Sequence, residues 1–188
     1  MELGYTVWTW LSDEHRDWCR VEDPKAAFEQ ACREVSHLGY KTIENFNWFA
    51  DFYEENPGEV TDIMNRYGLK FVNIYHYLTP DFEADVENGR RYARFGKAVG
   101  AKYMNLQMQT WKDRPYNRPF DKEKVEDYAR KANIIGEIAK EQGLTVCVHP
   151  HANTPVFTME QIDYFLEKTD PSLVSLCVDT AHIALSGG

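Results

Sequence analysis

The feature that most constrains this chain is a junction that recurs four times. An amphipathic segment closes on a glycine, and an apolar run of strand length starts one or two residues later: HLGYKTIENF, RYGLKFVNIY, AVGAKYMNLQ and EQGLTVCVHP. Gly39, Gly68, Gly100 and Gly143 are therefore expected just past helix ends, where a left-handed backbone suits glycine. The segments before them have helical spacing: Ala27, Ala31, Cys32, Val35 and Leu38, then Val60, Ile63, Met64 and Tyr67, and later Val125, Tyr128, Ala129, Ala132, Ile135, Ile138 and Ala139. Asp23-Pro24 and Asn56-Pro57 set a capping side chain before a proline, and Thr158 with Gln161 makes a capping box. The runs after the glycines read as parallel strands buried on both faces, near 3–8, 41–45, 70–75, 102–107, 144–149 and 173–178. Strand and helix alternate throughout, so the class is α/β with a parallel sheet, in a single domain over 1–188.

Composition narrows the function. With 43% hydrophobic and 27% charged residues the chain has the makings of an ordinary core. A net charge of −9 disfavours nucleic acid and anionic membrane surfaces as partners. No window approaches the run of about 20 apolar residues a membrane span needs, and Met1–Tyr5 lacks the start of a secretion signal, so a cytoplasmic location is expected. Cys19, Cys32, Cys147 and Cys177 form no CxxC pair and read as reduced packing thiols.

No strand is followed by GxGxxG or GxxxxGK[ST], so the usual nucleotide loops of open sheets are absent. The strands end instead in titratable and amide groups: Glu44 and Asn45, His76, Gln107 and Gln109, His149 and His151, then Asp179 and His182. A barrel builds one site in this way, from many strand ends. A complete barrel needs about 250 residues, whereas this chain of 188 stops after its sixth strand, so the expectation is a parallel (β/α)8 TIM barrel lacking its last two units. The sharpest segments are VCVHPHANTPV and LCVDTAHIALSGG. Adjacent strand ends lie about 5 Å apart, so imidazole and carboxylate could converge there on one divalent ion. Capping or solvent-facing loop histidines are the plainer alternative.

From Gly143 to Gly187 the chain resembles the xylose isomerase-like TIM barrel superfamily of sugar phosphate isomerases/epimerases and AP endonucleases, and within it the inosose dehydratase family. The resemblance rests on HPHANT, on Thr169-Asp170-Pro171, and on Asp179-Thr180-Ala181-His182 leading to Ser186-Gly187. It continues more weakly from Tyr5 to Gln107, including Gly39-Tyr40 ahead of Glu44. It implies a divalent metal (manganese, cobalt, magnesium or zinc) held by His149 and Asp179, with two further ligands beyond Gly188. His182 and Glu44 are then the expected catalytic groups, and His151, Trp8, Gln107 and His76 the expected substrate contacts. The implied substrate is a polyhydroxy ketone, a keto-sugar or keto-cyclitol. Two-base ketose epimerases carry glutamate at the place of His149. Histidine there favours one-sided proton abstraction beside the ketone, through a metal-stabilised enediolate, followed by loss of water; the base stays open.

Other readings stand beside this one. Glu44 is equally a solvated carboxylate, and His76 a structural histidine. Trp8, Trp10, Trp48 and Trp111 could wall a sugar, or pack in the core. Lys112, Arg114 and Arg118 could clamp an anion, or be a solvated loop. The rival activities are a sugar phosphate isomerase or epimerase, and a DNA-repair endonuclease that the charge disfavours. A different class of answer is an inactive fragment, or a subunit completed by another chain or by a second copy, since a six-stranded piece leaves open edges.

Overall fold

The computed structural model describes residues 3–11, 21–110 and 119–187. Six strands form one sheet in chain order: β1 (Gly4–Thr6), β2 (Thr42–Asn45), β3 (Lys70–Leu78), β4 (Tyr103–Met108), β5 (Thr145–Val148) and β6 (Val174–Leu176). Every neighbouring pair is parallel. Helix α1 (Pro24–His37) precedes β2; α2 (Trp48–Tyr53) and α3 (Pro57–Arg66) precede β3. Then come α4 (Phe82–Val99), α5 (Lys122–Glu141) and α6 (Met159–Glu167), one before each later strand, and α7 (Thr180–Leu185) comes after β6. The sheet is not closed on itself, and β1 and β6 are its edges.

The junction glycines explain this order. Gly39, Gly68, Gly100 and Gly143 all take positive φ, between 64° and 90°, a region where a Cβ would be strained. The Asp23 side chain accepts from the Ala26 N–H at 3.0 Å, and Thr158 and Gln161 complete their capping box. Asn56 does not cap α3; its amide donates instead to Glu59 at 3.0 Å.

Three elements differ from expectation. β1 ends at Thr6, and Val7–Leu11 is a 3-10 turn that buries Val7 and Leu11, so Trp8 sits in a turn rather than a strand. β3 runs on to Leu78 and takes His76 inside the strand. Helix α2 has no counterpart in the sequence pattern; it forms because Phe49, Ala50 and Tyr53 share a buried face, with Phe49 against Phe28 and Phe71.

Alternation along the strands separates two faces. Ile43, Ile74, Met104, Leu106, Val146 and Val148 are fully buried beneath the helices. Thr42, Glu44, Asn73, Tyr75, Asn105, Gln107 and Cys147 take the opposite face. A register shift keeps the faces in phase: Ile43 pairs with Phe71 but Glu44 with Asn73, leaving Val72 unmatched.

Helices α4 and α5 pack around a buried charge pair. Lys131 is fully buried, with Nζ 3.1 Å from the Asp85 carboxylate and hydrogen-bonded to the Thr79 carbonyl. Asp85 also accepts from the Thr79 N–H at 2.7 Å and the Thr79 hydroxyl at 3.0 Å. The pair thereby pins the loop that leaves β3.

Where α5 crosses the turn before β6, Gly136 admits no side chain. A Cβ there would lie 2.9 Å from Leu173 Cβ and 3.3 Å from the Leu173 carbonyl oxygen, so backbone must move. Gly136→Ala is expected to destabilise the fold by about 1–3 kcal/mol, despite the ~0.5–1 kcal/mol alanine gains in a helix. A denaturation midpoint at or above that of the parent protein would contradict this close approach.

Candidate metal centre

The opposite face delivers its functional groups at the C-terminal ends of β4, β5 and β6. His149 is the first residue beyond β5, and its N–H continues the ladder to the Leu106 carbonyl at 2.7 Å. Its ring joins Cys147 on the polar face and meets the Tyr75 ring edge-on at 5.6 Å. Gln107, on β4, accepts from His149 Nδ1 at 3.1 Å. Asp179 caps α7: its Oδ1 accepts from the N–H groups of Ala181 and His182 at 2.9 and 3.0 Å. The cap leaves Oδ2 pointing at His149 Nε2, 3.2 Å away.

This contact tests whether the residues suit a cation. With Gln107 holding the proton on Nδ1, His149 offers a lone pair at Nε2. A lone pair and a carboxylate oxygen at 3.2 Å repel unless a positive charge lies between them. Burial, the largest influence on His149, lowers its pKa, with only partial opposition from the Asp179 carboxylate, and so disfavours a proton there. Burial pushes Asp179 up, but its surroundings, the hydrogen bond from the His182 N–H foremost among them, outweigh it and hold the carboxyl below its usual range. A neutral imidazole beside an ionised carboxylate is a donor set for a divalent ion. The 3.2 Å separation suits two ligands of one ion with bonds of about 2.1 Å. Among the described residues, donor atoms of His149, Asp179 and His182 lie within 4.8 Å of one another.

The other expected site residues divide. His182 and His151 join the cluster, with their rings 3.8 Å apart. Glu44 lies on the same face of β2, where Oε1 accepts from the Thr6 hydroxyl at 2.5 Å and Oε2 from the Asn73 amide at 3.1 Å. Its charge reaches Tyr75 and His149. Gln107 is present but occupied, orienting His149. Trp8 is half-buried in the turn after β1, whereas Trp10 packs toward α1, donating to Glu34 at 2.8 Å. Trp48 opens α2 with a buried, unpartnered indole N–H. Trp111, Lys112, Arg114, Arg118 and Cys19 lie outside the described residues.

His76 is corrected. It alternates with Tyr75 and Tyr77, so its ring enters the helix layer, 99% buried, with Nε2 on the Asp85 carbonyl at 2.7 Å and Tyr92 edge-on at 5.1 Å. It therefore cannot meet a substrate at the strand ends. Burial, foremost, lowers its pKa, against the raising influence of Asp85. The unfolded chain then binds more protons below a pH of about 6.5. Stability held above that pH is lost as pH falls through it, by at most about 1.4 kcal/mol per unit for this one group. Urea unfolding at pH 7 and pH 5 should show the loss, and His76→Leu should show a smaller one; equal losses would remove His76 as the cause.

Tyr75, Tyr77 and Asn105 were missed as wall residues of this face. Their signal is the period-two run Asn73, Tyr75, Tyr77 and again Tyr103, Asn105, Gln107, hidden within strands that read as apolar.

A parallel β/α sheet in chain order, with a cation-seeking His-Asp pair at its C-terminal strand ends, defines a protein of the metal-site β/α barrel class. The chain belongs to the xylose isomerase-like TIM barrel family, whose model matches residues 32–188. It is 29% identical over 170 residues to an inosose dehydratase of Mesomycoplasma hyopneumoniae, covering 86% of this chain and 55% of the relative. The chain thus spans little more than half of that protein. In fold it is similar to the probable 3-DHS dehydratase AsbF of Bacillus anthracis (TM-score 0.75, 17% identity, 100% of this chain and 66% of that one). It is also similar to a xylose isomerase-like TIM barrel protein of Mycobacterium smegmatis in complex with magnesium (TM-score 0.73, 15% identity, 96% and 65%). No helix among the described residues is long and apolar enough to cross a membrane.

Proposed function

We propose that the protein is a divalent-metal-dependent enzyme that removes the proton beside the ketone of a polyhydroxy ketone, a keto-sugar or keto-cyclitol, and releases water. The observation that carries this reading is the 3.2 Å approach of His149 Nε2 to Asp179 Oδ2, each held in place by its other atom. His149 and Asp179 would hold the ion, which when bound polarises the ketone oxygen and favours loss of the neighbouring proton. Manganese, cobalt, magnesium and zinc all suit a nitrogen and oxygen donor set, and the similar mycobacterial protein is in complex with magnesium. The likeness to an inosose dehydratase supports water loss. Histidine at 149, a poor base once bound to metal, supports it over two-carboxylate epimerisation. In this reading His182, His151 and Glu44, on the same face as the metal pair, would border the substrate, and Trp8 would offer it an apolar wall. A net charge of −9 favours a small uncharged substrate over nucleic acid. The two open edges, β1 and β6, would suit a second copy or a completing chain, and a cytoplasmic location belongs to the same reading.

The test is elemental analysis of purified protein dialysed against manganese, then incubation with an inosose in deuterium oxide. About one equivalent of metal, with deuterium uptake beside the ketone and release of water, is expected. Uptake and return of the proton without water loss would make it an isomerase or epimerase. Metal-free, inert protein would end the reading for this chain.

A further inference from the structure

The end of the sheet away from the candidate metal centre carries a cleft that the dehydration reading does not use. Its volume is about 420 Å³, and it opens between the turn from α3 to β3 and the turn from α4 to β4. Lys70, Lys97 and Lys102 line it, with Asn65 beside them, over buried Met64, Leu69 and Phe71. From Lys102 to Gln107, the residue that orients His149, the chain climbs about 16 Å along β4. The cleft and the metal pair are therefore separate places.

The charge in this cleft has one sign. Among the described residues no Asp or Glu lines it, in a chain with 30 acidic against 21 basic residues. Lys25, Lys131 and Lys168 each lie within 4.0 Å of a carboxylate, whereas among the described residues Lys70, Lys97 and Lys102 have no such partner. The last turns of α3 and α4 border the cleft, and each helix end is equivalent to roughly half a negative charge. Three ammonium groups outweigh the two helix ends, leaving about two positive charges uncompensated. The Thr42 and Thr61 hydroxyls already donate, to the Leu3 and Gly58 carbonyls. The lysines and the Asn65 amide are thus the side-chain donors that a ligand would meet.

We propose that this cleft binds a phosphorylated organic molecule, with its phosphate oxygens on Lys70, Lys97 and Lys102. Ammonium groups without carboxylate partners supply both the charge and the donors that a multiply charged phosphate needs. The volume falls in the range of sites for small organic molecules and far exceeds that of one inorganic phosphate. Met64, Leu69 and Phe71 give the organic part an apolar floor. The N-terminal strand ends are the face of a β/α barrel that serves stability rather than chemistry, so the site is one of binding. A ligand there ties the turns after α3 and α4 together and stabilises the folded chain.

The test uses the whole chain, freed of metal by dialysis against EDTA so that phosphate cannot bind an ion at the opposite end of the strands. Calorimetric titration with ADP in about 0.05 M salt should show a single site. Lys97→Gln and Lys102→Gln should each weaken it about tenfold, and both combined with Lys70→Gln should abolish it. Lys140→Gln removes an exposed lysine of α5 outside the cleft and should bind ADP as the parent does. All three cleft lysines are exposed, so the variants should melt with the parent in the absence of ADP. ADP should then raise the Tm of the parent and not that of the triple variant. No heat up to about 5 mM ADP, or an equal loss in Lys140→Gln, would overturn the site. Binding of pyrophosphate without binding of ADP would reduce it to a site for the inorganic ion and overturn the organic ligand.

Discussion

Lys131→Met should cost about 3–5 kcal/mol of stability, because it leaves the Asp85 carboxylate buried without its counter-charge. At roughly 2–4 °C per kcal/mol for a chain of this size, that is a fall in Tm of about 6–20 °C. The loss exceeds that of an ordinary surface pair because Lys131 is fully buried and Asp85 is 1% exposed. Asp85→Asn preserves an oxygen for the Thr79 N–H but leaves Lys131 with the more distant, partly exposed Asp127 carboxylate, 3.7 Å away, as its counter-charge. Combined with Lys131→Met it removes both charges together, so the double variant should recover part of the single loss, with a coupling of about 0.5–3 kcal/mol. Thermal and urea unfolding of the four proteins measures the cycle. If Lys131→Met loses under about 1 kcal/mol, the pair is not the clamp between α4 and α5 that its geometry implies.

The second large effect concerns the metal. His149→Ala should abolish retention of a divalent ion after gel filtration, since it removes the ring nitrogen that faces Asp179 Oδ2 at 3.2 Å. Asp179→Asn separates two roles of one side chain. Its amide oxygen can still accept from Ala181 and His182 and cap α7, but the charge facing His149 is gone. Fold should therefore survive while the ion is lost. Gln107→Leu touches no proposed metal ligand atom, yet it frees His149 Nδ1 and should weaken binding by about 10–100-fold. Equimolar metal in His149→Ala or Asp179→Asn would move the centre elsewhere in the chain.

Much of the fold is legible in the sequence because its signals are local. A glycine past a helix end records a backbone conformation, so Gly39, Gly68, Gly100 and Gly143 mark four junctions without reference to anything distant. His149 and Asp179 could be paired by the same logic, since adjacent parallel strands bring their ends together. The rest depends on where strands stop and which way side chains point. His76 reads as a strand-end residue only if β3 stops at Tyr75; three further residues of ladder turn it into the helix layer. Lys131 stands in the helical stripe of Tyr128, Ala132 and Ile135, yet its burial depends on Asp85 from another helix, 46 residues earlier.

Helix α7 buries none of its side chains, and six residues are too few for a helix to persist in water on its own. Its order therefore leans on the Asp179 cap, the residue whose second oxygen faces His149. Local unfolding of α7 and occupancy of the centre are then thermodynamically linked. Amides of Ile183 and Ser186, bonded within this turn, should exchange with solvent deuterium fastest in apo protein and slow when an ion fixes Asp179, making this short helix a reporter of the centre.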